Sequence, residues 1–183
     1  MITTQNLTKT YSTNTVLNIE SLEIPKGQCF GLVGNNGAGK TTFFSLLLDL
    51  IQPTTGHIDN NGVQVNTSED WKPFTSAFID ETFLIGYLTA EEYFYFIGEL
   101  RGQNKADVDA LLAGFQDFFH GEIKQIIKDL AAQQDVTVLV SSHDLIHVTE
   151  VCERIVVLNK GEVVKDINTS TETLKELEVF FAG

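Results

Sequence analysis

The chain has 183 residues, 43% of them apolar and 20% charged, which suits one compact globular domain and excludes disordered and fibrous classes. Twelve Lys plus Arg stand against 25 Asp plus Glu, a net charge of −13; nucleic acid binding needs a basic footprint, so no nucleic acid partner is expected. No apolar run approaches the roughly 20 residues of a membrane-spanning helix, and "MITTQNLTKT" is too polar for a signal peptide.

In chain order, Ile2 to Leu7, Val16 to Ile24 and Cys29 to Val33 are β-leaning, with "PKG" at Pro25 to Gly27 as a turn. "GNNGAGKTT", Gly34 to Thr42, follows directly, and then "TTFFSLLLDL", whose Phe43, Phe44, Leu47, Leu48 and Ile51 recur at helical spacing. "IDNNGVQV" reads as a hairpin through Asn61-Gly62. From Thr89 to Gln134 the spacing is helical, opening with Thr89 and Glu92 in capping-box positions. "DVTVLVSS" suits a buried parallel strand, and "RIVVLNKGEVVKD" a hairpin turning at Asn159 to Gly161. An amphipathic helix over Thr171 to Phe181 closes the chain. Cys29 and Cys152 both lie inside apolar patterns and read as reduced core residues of a cytoplasmic protein.

The stretch from Gly34 to Thr42 carries the chemistry. Gly34, Gly39, Lys40 and Thr41 fit G-x-x-x-x-G-K-[ST], with a strand before and a helix after. Backbone N–H groups of such a loop curl around anionic oxygens, and the helix N-terminus adds partial positive charge. Lys40 then reaches the β- and γ-phosphates, and the Thr41 hydroxyl ligates magnesium. Nucleotide binding is the strongest reading of the residues alone.

"LTKTYSTNTVLNIESLEIPKGQCFGLVGNNGAGKTTFFSLLLDLIQPTTGHIDNNG" resembles the opening of an ABC transporter ATP-binding domain, and "VTVLVSSHDLIHVTEVCERIVVLNKGEVV" resembles its closing part. The resemblance implies an α/β fold: a P-loop NTPase core with an N-terminal antiparallel β subdomain and a remnant helical subdomain. It divides residues 1–75 (β subdomain and phosphate-loop core), 76–134 (linking segment and helical remnant) and 135–183 (switch-histidine strand, hairpin and terminal helix). Implied cofactors are ATP and Mg2+. Gly34, Asn35, Asn36, Gly37, Ala38, Gly39, Lys40, Thr41 and Thr42 match the Walker A loop, and Tyr11 the aromatic that stacks on adenine. His143 matches the switch histidine that contacts the γ-phosphate.

Blander readings stand beside these. Tyr11 also reads as a strand-end aromatic, and His143 as the cap of the helix that follows it. His143 and His147 share zinc-ligand spacing, but Asp144 stands where H-E-x-x-H needs glutamate and a third ligand is lacking, so no zinc site is expected. "SAFIDETFLIGYLTAEEYFYFIGELRG" resembles the segment that links core and helical subdomain. Where the family often has a glutamine after a strand, this chain has Asp80 and Glu81; Glu81 is the aligned candidate for a magnesium ligand, and also reads as an ordinary solvated strand-end acid.

The pattern breaks between Phe119 and Val136. The family's "LSGGQ" signature and its apolar strand ending in Asp-Glu have no counterpart in "FHGEIKQIIKDLAAQQDV", which reads as an internal deletion near Glu122 to Lys124. The sheet is then shorter by one parallel strand, leaving the edge of Val136 to Val140 open. Apolar residues from Val108 to Leu130 keep one helical phase, which allows a single long helix burying one stripe, with Gly121 as the alternative C-terminal cap of a first, shorter helix. The resemblance implies an ATP-binding subunit at the inner face of the cell membrane, with ABC transporter membrane subunits and a second ATP-binding subunit, identical or intact, as partners. "EEYFYFIGEL" with Phe83 and Tyr87 has the composition of a surface for the membrane subunits, and reads equally as plain core packing of that helix. Hydrolysis is expected to fail for want of the acid and the signature loop. A non-hydrolysing nucleotide sensor and a nonfunctional deleted fragment are the alternatives.

Overall fold

The computed structural model describes residues 1–79, 84–118, 123–132 and 135–182. They fall into two compact units: residues 1–71 with 127–183, and residues 72–126.

The first unit is built on two sheets. Strands β1 (Ile2–Tyr11), β2 (Asn14–Ile24), β4 (Thr55–Asn60) and β5 (Val63–Gln64) form an antiparallel sheet in the order β2-β1-β4-β5. The expected Asn61-Gly62 hairpin joins β4 to β5; both residues have positive φ, 51° and 80°, as the favoured two-residue turn requires. In the second sheet, β3 (Cys29–Val33) runs parallel to both β6 (Val138–Ser141) and β7 (Arg154–Asn159), and β8 (Glu162–Asn168) closes the order β6-β3-β7-β8 as an antiparallel hairpin partner.

Period-two alternation makes β3 and β7 serve two cores at once. Phe30, Leu32, Val156 and Leu158 face a core shared with the antiparallel sheet and with helix α1 (Lys40–Leu47), which contributes Phe43, Leu46 and Leu47. Cys29, Val33, Ile155 and Val157 face a second core with Val148, Val151, Cys152 and Leu177 from helices α5 (Leu145–Val151) and α6 (Thr173–Ala182) and their flanks. Helices on both faces of a mostly parallel sheet, beside a separate antiparallel layer, bear out the expected α/β class. Gly31 lets α5 approach: a Cβ there would stand 2.6 Å from the Val148 Cγ1. Cys29 and Cys152 are buried free thiols with Sγ atoms 3.7 Å apart.

The expected buried strand at Val136 to Val140 is only half-buried. Among the described residues β6 has a neighbour on one side alone, β3, and ends the sheet.

The second unit contains a 3₁₀ turn at Lys72–Phe74 and helices α2 (Ala90–Leu100) and α3 (Lys105–Phe118). Gly98 of α2 lets the two helices meet, since a Cβ there would lie 2.4 Å from the Val108 Cγ2. Among the described residues the apolar phase from Val108 to Leu130 is not buried throughout. Val108 is buried against α2, but Leu111 is 58% exposed; on helix α4 (Ile123–Ala131), which spans the boundary between the units, Leu130 is 39% exposed. Residues 119–122, where the two helical runs join, lie outside the described residues. Nor do Ser76 to Ile79 form a strand, because a strand exists only with a ladder partner.

The expected capping box is present. Thr89 Oγ1 accepts from the Glu92 N–H at 3.2 Å, and the Glu92 carboxylate accepts from the Thr89 N–H at 2.8 Å. The Thr89 N–H first, and then the Thr89 Oγ1–H that donates to the same carboxylate at 2.9 Å, hold the Glu92 carboxyl below its ordinary value of 4.5. Thr89→Ala should weaken α2 by about 1 kcal/mol at pH 7, read as faster amide hydrogen exchange in Ala90–Leu100. The Glu92 contribution is complete above pH 4.5 and disappears as pH falls through the lower folded value. Thr89→Ala removes only the Oγ1–H share of that contribution, so the gap between wild type and variant should narrow in acid without closing, because Thr89 Oγ1 goes on accepting from the Glu92 N–H.

Candidate functional site

The fully buried strand β3 ends at Val33, and the chain turns through residues 34–39 into α1. Gly34 is pressed against β7: a Cβ there would stand 2.4 Å from the Leu158 carbonyl oxygen and 2.9 Å from the Ala38 Cβ. Ala38 N–H donates to the Asn35 carbonyl at 3.0 Å and closes the loop. Gly34, Ala38 and Gly39 are buried, while Asn35, Asn36 and Gly37 form an exposed rim. Gly39, at φ 104°, is the N-cap of α1 and supplies no side-chain cap bond. The first-turn amides of α1 therefore have no capping side chain, at the end where the helix dipole is positive.

Lys40 folds back over this loop. Its Nζ donates to the carbonyl oxygens of Gly34 at 2.5 Å and Asn35 at 3.1 Å. Both acceptors are neutral, and burial lowers the Lys40 pKa from its ordinary 10.5. A concave set of amide donors with a partly desolvated ammonium suits an anion with several oxygens. Thr41, exposed, and Thr42, half-buried, are the next two residues of α1.

The register of the parallel strands places His143 near the same end of the sheet. Leu32 of β3 pairs with Ser141 of β6, and Gly34 and His143 each follow two residues on. Loops beyond the C-terminal ends of parallel strands are where such sheets bind ligands. His143 is exposed. It does not cap α5: Asp144 is the N-cap, accepting from the His147 N–H at 3.1 Å, and His147 Nδ1 lies 3.1 Å from Asp144. A carboxylate one residue later wins the cap because it accepts more strongly than an imidazole.

Tyr11 ends β1, half-exposed, at the tip of the β1–β2 hairpin, with Lys9 Nζ 4.9 Å from its ring centroid. A little further along, that hairpin reaches the loop, since a Cβ on Gly39 would lie 2.9 Å from the Val16 carbonyl oxygen. Glu81, the expected magnesium ligand, lies outside the described residues, as does Asp80. The carbonyls of Val16 and Leu158 that back the loop are not evident in the sequence, because any residue type supplies a carbonyl.

The sequence pattern of the ABC transporter family matches residues 17–167. The chain belongs to the ABC transporter family.

Similar proteins include the bacitracin transport ATP-binding protein BcrA of Enterococcus faecalis, 28% identical over 217 residues, covering 93% of this chain and 70% of that protein. An uncharacterized ABC transporter ATP-binding protein of Methanocaldococcus jannaschii is 24% identical over 219 residues, covering 89% of this chain and 76% of that protein. Among solved structures, a dimeric bacterial ABC transporter cassette superposes with a TM-score of 0.80 at 21% identity, covering 93% of this chain and 99% of that one. At such identity the likeness speaks to fold. The antiparallel sheet, the mixed sheet and the flanking helices of this ABC transporter chain are thus those of an ABC cassette.

The loop geometry separates two glycines that look alike in sequence. At Gly37, with φ 80°, an added Cβ would meet nothing within 4 Å, whereas at Gly34 the obstacle is backbone. Gly37→Ala should lose about 1 kcal/mol from strain alone. Gly34→Ala should lose about 3 kcal/mol or more, since the Leu158 carbonyl cannot yield without moving β7. Urea unfolding of the two variants measures the difference.

Proposed function

We propose that this chain is the ATP-binding subunit of an ABC transporter, that it holds Mg-ATP on the loop from Gly34 to Thr42, and that its own turnover is near background. The observation that carries the reading is the loop itself, with uncapped first-turn amides of α1 and an ammonium, Lys40, held over it by the neutral carbonyls of Gly34 and Asn35. The names of the similar proteins, ATP-binding proteins of ABC transporters, support the same ligand.

In this reading the α1 amides receive phosphate oxygens, and Lys40 Nζ leaves the Gly34 and Asn35 carbonyls for the β- and γ-phosphates. The Thr41 hydroxyl is the group that would hold magnesium, which when bound would neutralise phosphate charge. Tyr11 offers a ring face to adenine. His143, beyond the end of β6, is the γ-phosphate contact.

Slow turnover follows from what the sequence lacks, an aligned acid and a signature loop, and positioned catalytic groups are worth orders of magnitude in rate. The comparison supports a missing block. The match to BcrA spreads about 170 residues of this chain, 93% of 183, over 217 positions, so about 47 positions of that protein have no counterpart here. A second ATP-binding subunit that donates its signature loop is the partner that this chemistry calls for. Membrane subunits are assigned to the exposed apolar side chains of the second unit, Tyr87 at 86%, Phe78 at 68% and Phe96; Tyr93 and Phe94 are half-buried, and Phe83 lies outside the described residues. No helix among the described residues is long and apolar enough to cross a membrane, so attachment at the inner face is assigned to partners.

Mg-ATP should raise the melting temperature of a preparation with intact mass 20.3 kDa, because a ligand bound by the native state alone stabilises it. Lys40→Ala should remove most of that rise; an undiminished rise would sink the reading. Phosphate release should stay at background, and steady release that depends on Lys40 would contradict the turnover claim.

Affinity should also depend on pH through Lys40. Its free-state pKa lies below 10.5, and bound phosphates raise it, so affinity is full below the free-state value and falls as pH rises through it. Calorimetric titration from neutral pH upward measures this; affinity flat through pH 10.5 would exclude Lys40 as the phosphate contact.

A further inference from the structure

The phosphate loop is closed from within by the Ala38 N–H to the Asn35 carbonyl and by Lys40 Nζ on the Gly34 and Asn35 carbonyls, bonds that Lys40 gives up in the nucleotide reading, and its rim at Asn35, Asn36 and Gly37 is exposed. Its back, by contrast, is backbone packed on backbone, and the contact comes from the distant β7–β8 hairpin turn.

At that turn Gly161 makes two bonds. Its N–H donates to the Ala38 carbonyl at 3.0 Å, and its carbonyl accepts from the Asn18 N–H of β2 at 2.8 Å. Ala38 is thereby fixed through both its N–H and its carbonyl. The next residue is involved too, since a Cβ on Gly39 would stand 3.4 Å from the Gly161 Cα. Two glycines face each other with no side chain between them. Gly161 itself has φ 85°, and a Cβ there would fall 2.6 Å from the Val16 carbonyl oxygen and 2.9 Å from the Leu17 Cα. The Leu17 side chain is fully buried, so β2 cannot retreat without opening the core.

We infer that Gly161 is a positioning residue for the phosphate loop: its backbone bridges Ala38 to Asn18 and thereby sets the direction of the Gly39 and Lys40 amides. The inference rests on the nucleotide reading above. A turn that merely joined β7 to β8 would need only the φ of Gly161. It would not need an N–H directed at Ala38 or an open face toward Gly39. A displaced turn releases the Ala38 carbonyl, and the amides at the start of α1 lose the preorganisation on which anion binding depends.

The test compares Gly161→Ala with Gly62→Ala. Gly62 also has positive φ, 80°, but a Cβ there meets nothing within 4 Å and its hairpin is elsewhere. Both variants carry the strain of a side chain at positive φ, so both should melt earlier. Only Gly161→Ala should weaken Mg-ATP, by roughly tenfold in Kd, the worth of one lost backbone bond and its alignment. It should also reduce the protection that ATP gives the Gly39 amide in hydrogen exchange. Equal ATP affinity in Gly161→Ala and Gly62→Ala, with the unaltered chain binding, would overturn this inference and leave the nucleotide reading standing. No binding by the unaltered chain would overturn both. If Gly161→Ala does not fold, an ester at the same position decides. A recombinant 1–151 thioester joined at Cys152 to a synthetic 152–183 segment with glycolic acid at 161 removes the N–H donor and retains the glycine's size and its freedom at positive φ. Its Kd should rise by a similar factor, and an unchanged Kd would reject the bridge.

Discussion

Strand β3 is hydrogen-bonded on both sides, to β6 through Cys29 to Leu32 and to β7 through Phe30 to Val33, and everything at the candidate site depends on that double pairing. A strand held on two sides and buried on two faces has no freedom to slip, because a shift of one residue would exchange Phe30 and Leu32 with Cys29 and Val33 between two different cores. The loop after Val33 therefore starts from a fixed point. β7 presents the Leu158 carbonyl to Gly34, and β2 presents the Val16 carbonyl to Gly39. The loop is shaped by its backing as much as by its own sequence.

The same sheet has a strong side and a weak one. On the β7 side the hairpin with β8 adds pairing from Arg154 to Asn159, fastened by Arg154 gripping Asp166 at 2.7 and 2.6 Å. On the β6 side the sheet ends among the described residues with a half-buried strand of four. Lys26 bound to Asp135 at 2.6 Å and the Gly27 N–H donating to Thr137 at 3.1 Å tie the entry of that strand to the start of β3. An open apolar edge is a site of unwanted pairing in most proteins.

Much of the fold was legible because local rules and tertiary demands agree. Asn61-Gly62 and the turn at Asn159 to Gly161 have the chemistry that hairpins require, Thr89 and Glu92 form the capping box that their spacing announced, and the glycine-rich loop after Val33 sits between a strand and a helix. Misreadings came where the decision was not local. The apolar phase from Val108 to Leu130 looked like one buried stripe, yet Leu111 and Leu130 are exposed, since periodicity reports which residues can share a face and not whether anything covers it. Ser76 to Ile79, which the resemblance aligned with the end of a strand, are not in one. His143 was a reasonable cap until Asp144 competed for the same helix end. The tie from Gly161 to Ala38 left no mark in the sequence beyond a turn glycine, because both ends of the bond are main chain.

The central claim is that the amides from Gly37 to Thr41 form the cradle for the phosphates of ATP, and amide NMR of the labelled full chain tests it most directly. Addition of Mg-ATP should move the Gly39 and Lys40 amide protons downfield, as charge-assisted hydrogen bonds to phosphate oxygens do, while adenosine alone leaves them in place. Perturbations confined to other parts of the chain, with the amides of Gly37 to Thr41 unmoved at saturating Mg-ATP, would contradict the account.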